Sequence, residues 1–140
     1  MGERNMTSQG DVYTLGIVLD LRAGGAIAKG EPVKTGAADG KVVAASDGDD
    51  PVGVALKAAS ADGDPVPVMV SGAVYLTAAA AISRGEAVQP AGSQKVKALA
   101  DQPVDEGGTA TYTVYYQKKL GIALEAASAD GDVILVQLAL

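Results

Sequence analysis

A twelve-residue phrase occurs twice in this chain. GVALKAASADGD occupies Gly53–Asp64, and GIALEAASADGD occupies Gly121–Asp132. The copies differ at two positions, where Val and Lys of the first copy become Ile and Glu in the second. A chain of 140 residues that repeats such a phrase contains either a repeated site or a repeated piece of architecture.

The repeat extends upstream of the phrase. AIAKGEPV at Ala26–Val33 is matched by AISRGEAV at Ala81–Val88, and each is followed by a Lys-Val segment. The upstream match has an offset of 55 residues (81 minus 26), whereas the phrase has an offset of 68 (121 minus 53). The difference places an insertion in the second copy, near 104–116. Ordered self-similarity indicates a duplicated structural unit, with halves at about 26–70 and 81–138.

The phrase has the alternation of a strand that approaches a turn. Val54 and Leu56 alternate with small residues before Ala61-Asp62-Gly63, and aliphatic residues alternate again after it. A three-residue hairpin loop with Gly at its end predicts that Leu56 faces Val68 and Val54 faces Val70. In the second copy, the same register sets Leu124 against Val136 and Ile122 against Leu138. A two-residue Asp-Gly loop would mix the two faces.

The two copies differ just after the turn. The first has Pro65 and Pro67, which donate no backbone hydrogen bond, and this predicts a sheet edge or a solvent side. The second has Val133 and Leu135 at these places. Their N–H groups are free to bond, so we expect this strand to use its open edge to pair with another strand, either the N-terminal one or one from a neighbouring subunit.

The remaining segments also favour β-structure. Val12–Leu21 predicts a first strand, Thr109–Lys119 has high β-propensity, and Ala73–Ile82 predicts the end of a strand plus one helical turn. The fold class is therefore all-β, a small barrel or sandwich with two pseudo-duplicated halves. Residues 1–10 are expected to form a flexible N-terminal arm, and residues 11–140 a single β domain with the insertion near 104–116.

Composition narrows the function classes. The net charge is −6, which argues against nucleic-acid binding. The chain has no Cys and no His, so it lacks thiolate chemistry and the commonest general base and metal ligand. No segment has the length and hydropathy of a membrane span, so no membrane association is expected. An enzyme is disfavoured, and no catalytic residue is nominated.

Acidic and glycine-rich turns are the remaining chemical candidates. The DGDD segment at Asp47–Asp50 fails the EF-hand pattern, because its fifth position is Pro51 and its twelfth is Ala58. No phosphate-binding loop is present. Turn chemistry explains the Asp-Gly pairs, so neither a metal nor a cofactor is predicted.

Tyrosines are the only aromatic residues, and three of the five lie in the insertion. Tyr112, Tyr115 and Tyr116 are interface candidates because tyrosine combines a large apolar area with a hydroxyl group. Ordinary packing within the sheet is the alternative explanation. With Val133 and Leu135 they complete the set of predicted interface residues.

The motifs resemble those of short, Ala/Gly/Val-rich capsid decoration or cement proteins of bacteriophages and archaeal viruses. The matching stretches are Ile27–Val33, Gly53–Val74, Ile82–Val88 and Gly121–Leu138. The resemblance implies a β-rich structural virion protein on the capsid exterior, which binds the major capsid protein and stabilises or decorates the shell. It also implies a homo-oligomer, most commonly a trimer, and no catalytic residue.

Two other classes of function stay open at this point. A carbohydrate- or ligand-binding β-module without catalytic activity would need exposed aromatic residues, which the tyrosine-rich strand offers. An enzyme that uses paired carboxylates would need two acidic groups facing each other, and the sequence nominates no such pair.

Overall fold

Two closed five-stranded barrels follow each other along the chain. The computed structural model describes residues 8–99, 102–106, 109–113 and 119–138. Within these residues the strands are β1 (Val12–Leu15), β2 (Val18–Ala23), β3 (Pro32–Thr35), β4 (Lys41–Ala44), β5 (Gly53–Ala55), β6 (Pro65–Met69), β7 (Gly72–Ala78), β8 (Ala87–Gly92), β9 (Lys95–Ala98), β10 (Gln102–Glu106), β11 (Thr109–Thr113), β12 (Gly121–Ala123) and β13 (Val133–Leu138).

The two barrels have the same topology. The first runs β2-β4-β3-β5-β6 and closes from β6 to β2, and the second runs β7-β9-β8-β12-β13 and closes from β13 to β7. Each contains one parallel pairing, between β2 and β4 in the first barrel and between β7 and β9 in the second. The predicted all-β fold with two pseudo-duplicated halves is confirmed.

Each unit begins one strand earlier than the sequence predicts. β2 and β7 belong to the repeat, although their residues lie before Ala26 and Ala81. Leu21 and Leu76 share the offset of 55 found in the upstream match. The repeat is not visible at these strands in the sequence, because their residue types differ in polarity, as at Asp20 and Tyr75. The strands keep only their pairing with neighbouring strands, which closes each barrel.

A hairpin distinguishes the second unit. β10 and β11 pair antiparallel and lie between β9 and β12, where the first barrel connects β4 to β5 directly. The predicted insertion at 104–116 overlaps this hairpin. Residues 107–108 and 114–116 of the predicted insertion lie outside the described residues.

The upstream motifs form matching turns. Gly30 and Gly85 have φ values of +82° and +90°, which L side chains rarely adopt. The next residue in each copy turns its carboxylate back, so that Glu31 accepts a hydrogen bond from the Ala28 N–H and Glu86 from the Ser83 N–H, both at 2.9 Å. The Gly-Glu pair therefore closes the turn that leads into β3 and β8.

Two apolar cores fill the barrels. Residues buried within the first are Ala23, Ile27, Val33, Val42, Ala55, Ala59, Val66 and Val68. The second core is built from β7, β8, β9, β12 and β13, and it also receives Val54 and Met69 from the first barrel, both with no exposed surface. The barrels therefore share apolar packing, and Val54 faces out of its own barrel.

The register within the phrase differs from both sequence alternatives. Val54 pairs with Met69 and Ala55 with Val68, and in the second copy Ala123 pairs with Val136. The prediction that Val54 faces Val70 was wrong by one residue. The reason is that β5 and β12 end after three residues, and the chain then forms bridges from Ala59 to Ile27 and from Ala127 to Ile82 before it turns. A shift of one residue exchanges faces, which is why Val54 reaches the core between the barrels.

The Asp-Gly segments do form tight turns. The Asp64 N–H donates to the Ala61 carbonyl at 3.2 Å, and Gly63 has a φ of +93°. The Asp64 carboxylate also accepts hydrogen bonds from the Ser60 N–H, the Ser60 hydroxyl and the Ala61 N–H, at 3.1, 3.1 and 3.0 Å. These bonds, the Ser60 N–H first, lower the pKa of Asp64.

The second copy repeats this arrangement. Asp132 accepts from the Ser128 N–H at 2.8 Å, from the Ser128 hydroxyl at 3.0 Å and from the Ala129 N–H at 3.2 Å. The Ser128 N–H is again the main reason that the pKa of Asp132 is lowered. The repeated acidic phrase therefore closes two turns.

The strand that follows each Asp-Gly turn is paired on both sides. β6 lies between β5 and β2, and β13 lies between β12 and β7, because both barrels are closed. The expectation of a sheet edge at Pro65 and Pro67 was wrong. The strand at Val133 and Leu135 does pair with another strand, as expected, but that strand is β7 and not the N-terminal β1. The sequence shows which residues lack an N–H. It does not show that the hairpin strands β5 and β12 end after three residues, which changes the side of β6 and β13 to which each N–H points.

The two copies satisfy the same backbone position differently. The Leu56 N–H donates to the Pro67 carbonyl at 2.9 Å, and the Leu124 N–H donates to the Leu135 carbonyl at 2.8 Å. Pro67 has no N–H to return, whereas the Leu135 N–H donates to the Glu125 carboxylate at 2.9 Å. Lys57 stands at the place of Glu125 in the first copy. The Lys/Glu difference in the phrase therefore accompanies the Pro/Leu difference in the next strand.

Two predicted segments have different boundaries. Val12–Leu21 divides into β1 and β2 at Gly16, where a side chain would collide with the Ser71 carbonyl. The expected helical turn within Ala73–Ile82 was wrong, since β7 continues to Ala78 and is followed by a bend. Alanine favours helices only where tertiary pairing does not decide otherwise, and here the closure of the barrel decides.

Candidate functional site

The N-terminal strand is attached to the outside of the second barrel. β1 pairs antiparallel with β7, with Val12 beside Val74 and Leu15 beside Gly72. Its other edge pairs with no strand among the described residues. Within the described part of the chain, an unpaired strand edge is therefore present at β1 and absent at β13.

The residues before β1 are held by hydrogen bonds. The Gly10 N–H donates to the Tyr75 carbonyl at 2.8 Å, and Asp11 forms an ion pair with Lys29 at 3.1 Å. A hydrogen bond from the Ser8 N–H, followed by the bond from Lys29, lowers the pKa of Asp11. The Gln9 side chain donates to the Lys29 carbonyl at 2.8 Å and accepts from the Thr77 hydroxyl at 2.7 Å.

These contacts involve residues 8–10 of the predicted flexible arm. Residues 1–7 lie outside the described residues. Flexibility of the N-terminal segment stays a prediction.

Apart from the half-buried Val18, the segment from Val12 to Leu19 is exposed, and most of its side chains are apolar. It contains no charged residue, although Asp11 and Asp20 lie on either side of it. Tyr13 is 66% exposed, Leu15 65% and Ile17 59%. Such a run of exposed apolar side chains is a mark of an interaction surface.

A row of apolar side chains continues from this segment across the second barrel. The Tyr13 and Tyr75 rings meet edge to face, with centroids 6.4 Å apart and an angle of 83° between their planes. Tyr75 pairs with Leu135, whose carbonyl accepts the hydrogen bond from the Leu124 N–H. We call these four residues, Tyr13, Tyr75, Leu135 and Leu124, the apolar row.

The row lies on the outside of the barrel. The neighbours of its residues in β7 and β13, such as Leu76 and Val136, are buried in the second core. Side chains alternate along a strand, so Tyr75 and Leu135 face outward. The exposed fraction is 40% for Leu124 and only 9% for Leu135, so neighbouring residues cover most of the Leu135 side chain.

The first barrel has a different surface at the equivalent place. Its topology aligns Asp20 with Tyr75, and Pro67 with Leu135. Asp20, Lys57 and Asp64 line an open groove of about 510 Å³ together with the two prolines. The duplicated units therefore differ here mainly at one position, where Asp20 of the first barrel corresponds to Tyr75 of the second. Lys57 and Asp64 correspond to Glu125 and Asp132, which are also charged.

The predicted interface residues are only partly described. Val133 is exposed on the outer side of β13, next to the apolar row, and Leu135 belongs to the row. Tyr112 lies in β11, where its backbone pairs with Pro103. Tyr115 and Tyr116 lie outside the described residues. The structure therefore brings Val133 and Leu135 together, and their role at an interface stays a prediction.

Three residues of the row were missed from the sequence. Tyr13, Tyr75 and Leu124 lie far apart in the chain. The pairing of β1 with β7 and of β7 with β13, and the hydrogen bond from the Leu124 N–H to the Leu135 carbonyl, bring them together. The available signal was the uncharged run that begins at Val12, which we assigned to an ordinary strand.

The acidic loop at Asp47–Asp50 is engaged in ion pairs. Asp47 pairs with Lys97 at 2.8 Å and Asp49 with Lys34 at 2.9 Å. Across the part of the chain that the structure describes, no group of three acidic side chains is placed to hold a metal ion. Among the same residues, no helix has the length and hydropathy to cross a membrane.

Comparison with known proteins identifies the family. The sequence profile described as phage cement protein matches residues 5–68 and 35–138, and the second match alone covers more than half of the chain. No curated protein sequence matches. Among solved structures, the chain is similar to the head fiber gp8.5 N base of bacteriophage phi29, with 17% identity and a TM-score of 0.58. The similarity covers 88% of this chain and 93% of that one, and it supports the fold.

These findings agree with the resemblance seen in the repeated motifs, and cement proteins are structural components of the capsid exterior. The chain belongs to the phage cement protein family and is a structural, capsid-associated protein of the virion.

Proposed function

We propose that this protein binds the outer surface of the phage capsid through its major capsid protein and stabilises or decorates the shell, without catalytic activity. The observation that carries the proposal is the apolar row on the second barrel, which has Tyr75 at the place where the first barrel has Asp20. The two barrels share one topology, so a charged residue of the first that is replaced by an outward-facing aromatic residue in the second marks a surface that we expect to bind a partner.

The composition of the row suits binding to a protein surface. Tyrosine is enriched at interfaces, and a Tyr pair that is already in contact loses little conformational freedom when a partner arrives. The fixed geometry of Tyr13 against Tyr75 supports a preformed docking surface. Val133 extends the same apolar area.

The ionisable groups of the described residues support a structural role. The carboxylates of Asp11, Asp64 and Asp132 have lowered pKa values because neighbouring N–H, hydroxyl and ammonium groups bond to them. A general acid or base needs a pKa near neutrality, so shifts in this direction suit turn closure and not proton transfer.

Binding to particles tests the proposal. Purified protein is added to capsids that lack it, and the bound fraction is measured by co-sedimentation. Tyr13→Asp should weaken binding at least tenfold, because it removes an exposed aromatic contact and buries a charge. The control Asp20→Asn alters the matching surface of the first barrel and should bind as the parent does. Equal binding by all three proteins would contradict the assignment of the row.

Self-association is the second part of the proposal. The resemblance implies a homo-oligomer, most commonly a trimer, and the net charge of −6 supports the absence of nucleic acid among the partners. The mass in solution, measured by light scattering, tests the oligomer, and a monomer at all concentrations would contradict it. Purified particles that lack this chain would contradict its place in the virion.

One observation favours a second candidate function, which is binding of a carbohydrate or another small ligand. The Tyr13 ring is two-thirds exposed and could stack on a sugar. Glycan-array binding that is lost in Tyr13→Ala would support this candidate, and a blank array would remove it.

A further inference from the structure

We propose that β1 of one copy pairs with β11 of a second copy, so that strand addition builds the homo-oligomer. The inference rests on the self-association part of the proposed function and names the contact that produces it. It is carried by two strand edges that the chain leaves unpaired and unprotected among the described residues.

The first of these edges belongs to β1. Edge strands of soluble proteins are usually protected by Lys, Pro or a covering element, because their free N–H and C=O groups otherwise pair with another chain. From Val12 to Leu19 there is neither Lys nor Pro. The strand is nevertheless held firmly by its bonds to Tyr75 and by the Asp11–Lys29 ion pair. It is a preformed template for another strand.

The second edge belongs to the hairpin. β10 and β11 form a two-stranded sheet, so among the described residues each has one unpaired edge. Glu106 pairs with Thr109 across a connection of two residues, which makes this pair hydrogen-bonded. Pairs then alternate, so the residues of the Asp105–Ala110 and Pro103–Tyr112 pairs direct their backbone groups outward.

The two sides of the hairpin differ in their protection. On β10 the outward positions are Pro103, which has no N–H, and Asp105, which adds a charge. On β11 they are Ala110 and Tyr112, within the uncharged sequence TATYT. Only the β11 side is suited to accept a strand.

The pairing of β1 with β11 uses both edges. A contact between two β1 strands would leave β11 exposed, and a contact between two β11 strands would leave β1 exposed. A head-to-tail contact satisfies both and repeats from copy to copy, and it closes into a ring when the rotation permits. This is the kind of contact that a cyclic oligomer such as a trimer requires.

The exposed apolar area near β1 supplies a large share of what such a contact needs from one copy. Four aliphatic residues outside the apolar row, Val12, Leu15, Ile17 and Leu19, are 40 to 65% exposed. Together they present roughly 400 Å², which is about half of the roughly 800 Å² that each partner contributes to a typical stable interface. The hairpin of the second copy contributes the opposing surface.

The experiment uses two proline variants that differ only in the edge they block. Asp105 and Ala110 face each other across the hairpin, and both N–H groups point outward. Ala110→Pro should convert the oligomer to a monomer of 13.9 kDa in size-exclusion chromatography with light scattering. Asp105→Pro should leave the oligomer intact, because it blocks the edge that Pro103 already protects. Leu15→Lys, on the opposite partner strand, should also give the monomer, and circular dichroism confirms that each variant is folded.

Several results would overturn the inference. They are a parent protein that is monomeric at every concentration, an Ala110→Pro variant that stays oligomeric, or equal dissociation by both proline variants. Co-sedimentation with capsids separates this inference from capsid binding. A monomeric parent that binds capsids overturns the β1–β11 contact and leaves capsid binding intact. An oligomer that only Ala110→Pro and Leu15→Lys dissociate supports the contact, even if the parent fails to bind capsids.

Discussion

The Glu125 side chain satisfies a backbone group that its counterpart in the first barrel does not have. The Leu135 N–H donates to the Glu125 carboxylate at 2.9 Å, whereas Pro67 has no N–H and Lys57 replaces Glu125. Truncation of Glu125 should therefore destabilise the protein, and truncation of Lys57 should not. This pair of variants tests whether the two residue differences between the copies are coupled.

The expected magnitude depends on the bond and its exposure. A hydrogen bond to a charged group contributes about 1.5–3 kcal/mol to the free energy of unfolding. Glu125 is exposed, so water competes for the bond and the lower end applies. We expect Glu125→Ala to cost about 1–1.5 kcal/mol, which lowers the Tm of a chain of this length by about 3–6 °C. Lys57→Ala should stay within about 0.5 kcal/mol of the parent.

Urea denaturation of four proteins measures the coupling. Leu135→Pro removes the N–H, so in that background Glu125→Ala should lose its effect, giving a coupling free energy of about 1 kcal/mol. Exchange of the Leu135 amide hydrogen should also accelerate in Glu125→Ala. Equal costs for the Glu125 and Lys57 truncations, or an unchanged cost in the proline background, would refute the reasoning.

Three further predictions concern the glycines, the acidic turns and the shared core. Gly121→Ala should destabilise the protein by about 1–3 kcal/mol in urea denaturation, because a β-carbon at this position would collide with the Gln137 carbonyl. A β-carbon at Gly25 would have no atom within 4 Å, so Gly25→Ala should change the free energy of unfolding by less than about 0.5 kcal/mol. Asp64 and Asp132 have lowered pKa values in the folded state, so their stabilisation is present above about pH 4 and is lost as the pH falls through the folded values. The Tm should therefore drop as the pH falls below about 4, and a double Asp→Asn variant that shows the same drop would contradict this. Met69→Ala should cost about 2–5 kcal/mol, since Met69 is fully buried between the barrels, and calorimetry should still give one transition.

The sequence predicts the architecture of this protein better than its surfaces. The duplication, the all-β fold and the Asp-Gly turns arise from local patterns that the structure retains. The register was wrong because β5 ends after three residues, and no local signal marks that end. The helical turn after Ala73 was wrong because barrel closure outweighs the propensity of a run of alanines.

The candidate site lay further beyond the sequence. Leu135 was selected for a free N–H, yet that N–H is bonded to Glu125 and the residue lies in the apolar row for a different reason. Tyr13 and Tyr75 are separated by 62 positions (75 minus 13), and only the pairing of β1 with β7 makes them neighbours. Contacts between surface residues of distant strands depend on which strands pair, and the order of strands in the barrel cannot be derived from the pattern of residues in one sequence.

The burial of Val54 and Met69 in the second core has a consequence for the history of the fold. The first barrel cut from this chain would expose both side chains to water, so the halves are not interchangeable modules. A one-barrel ancestor with the same packing would have needed a second molecule to cover them. A gene fragment that encodes the first barrel alone should therefore give a less soluble product than the intact chain.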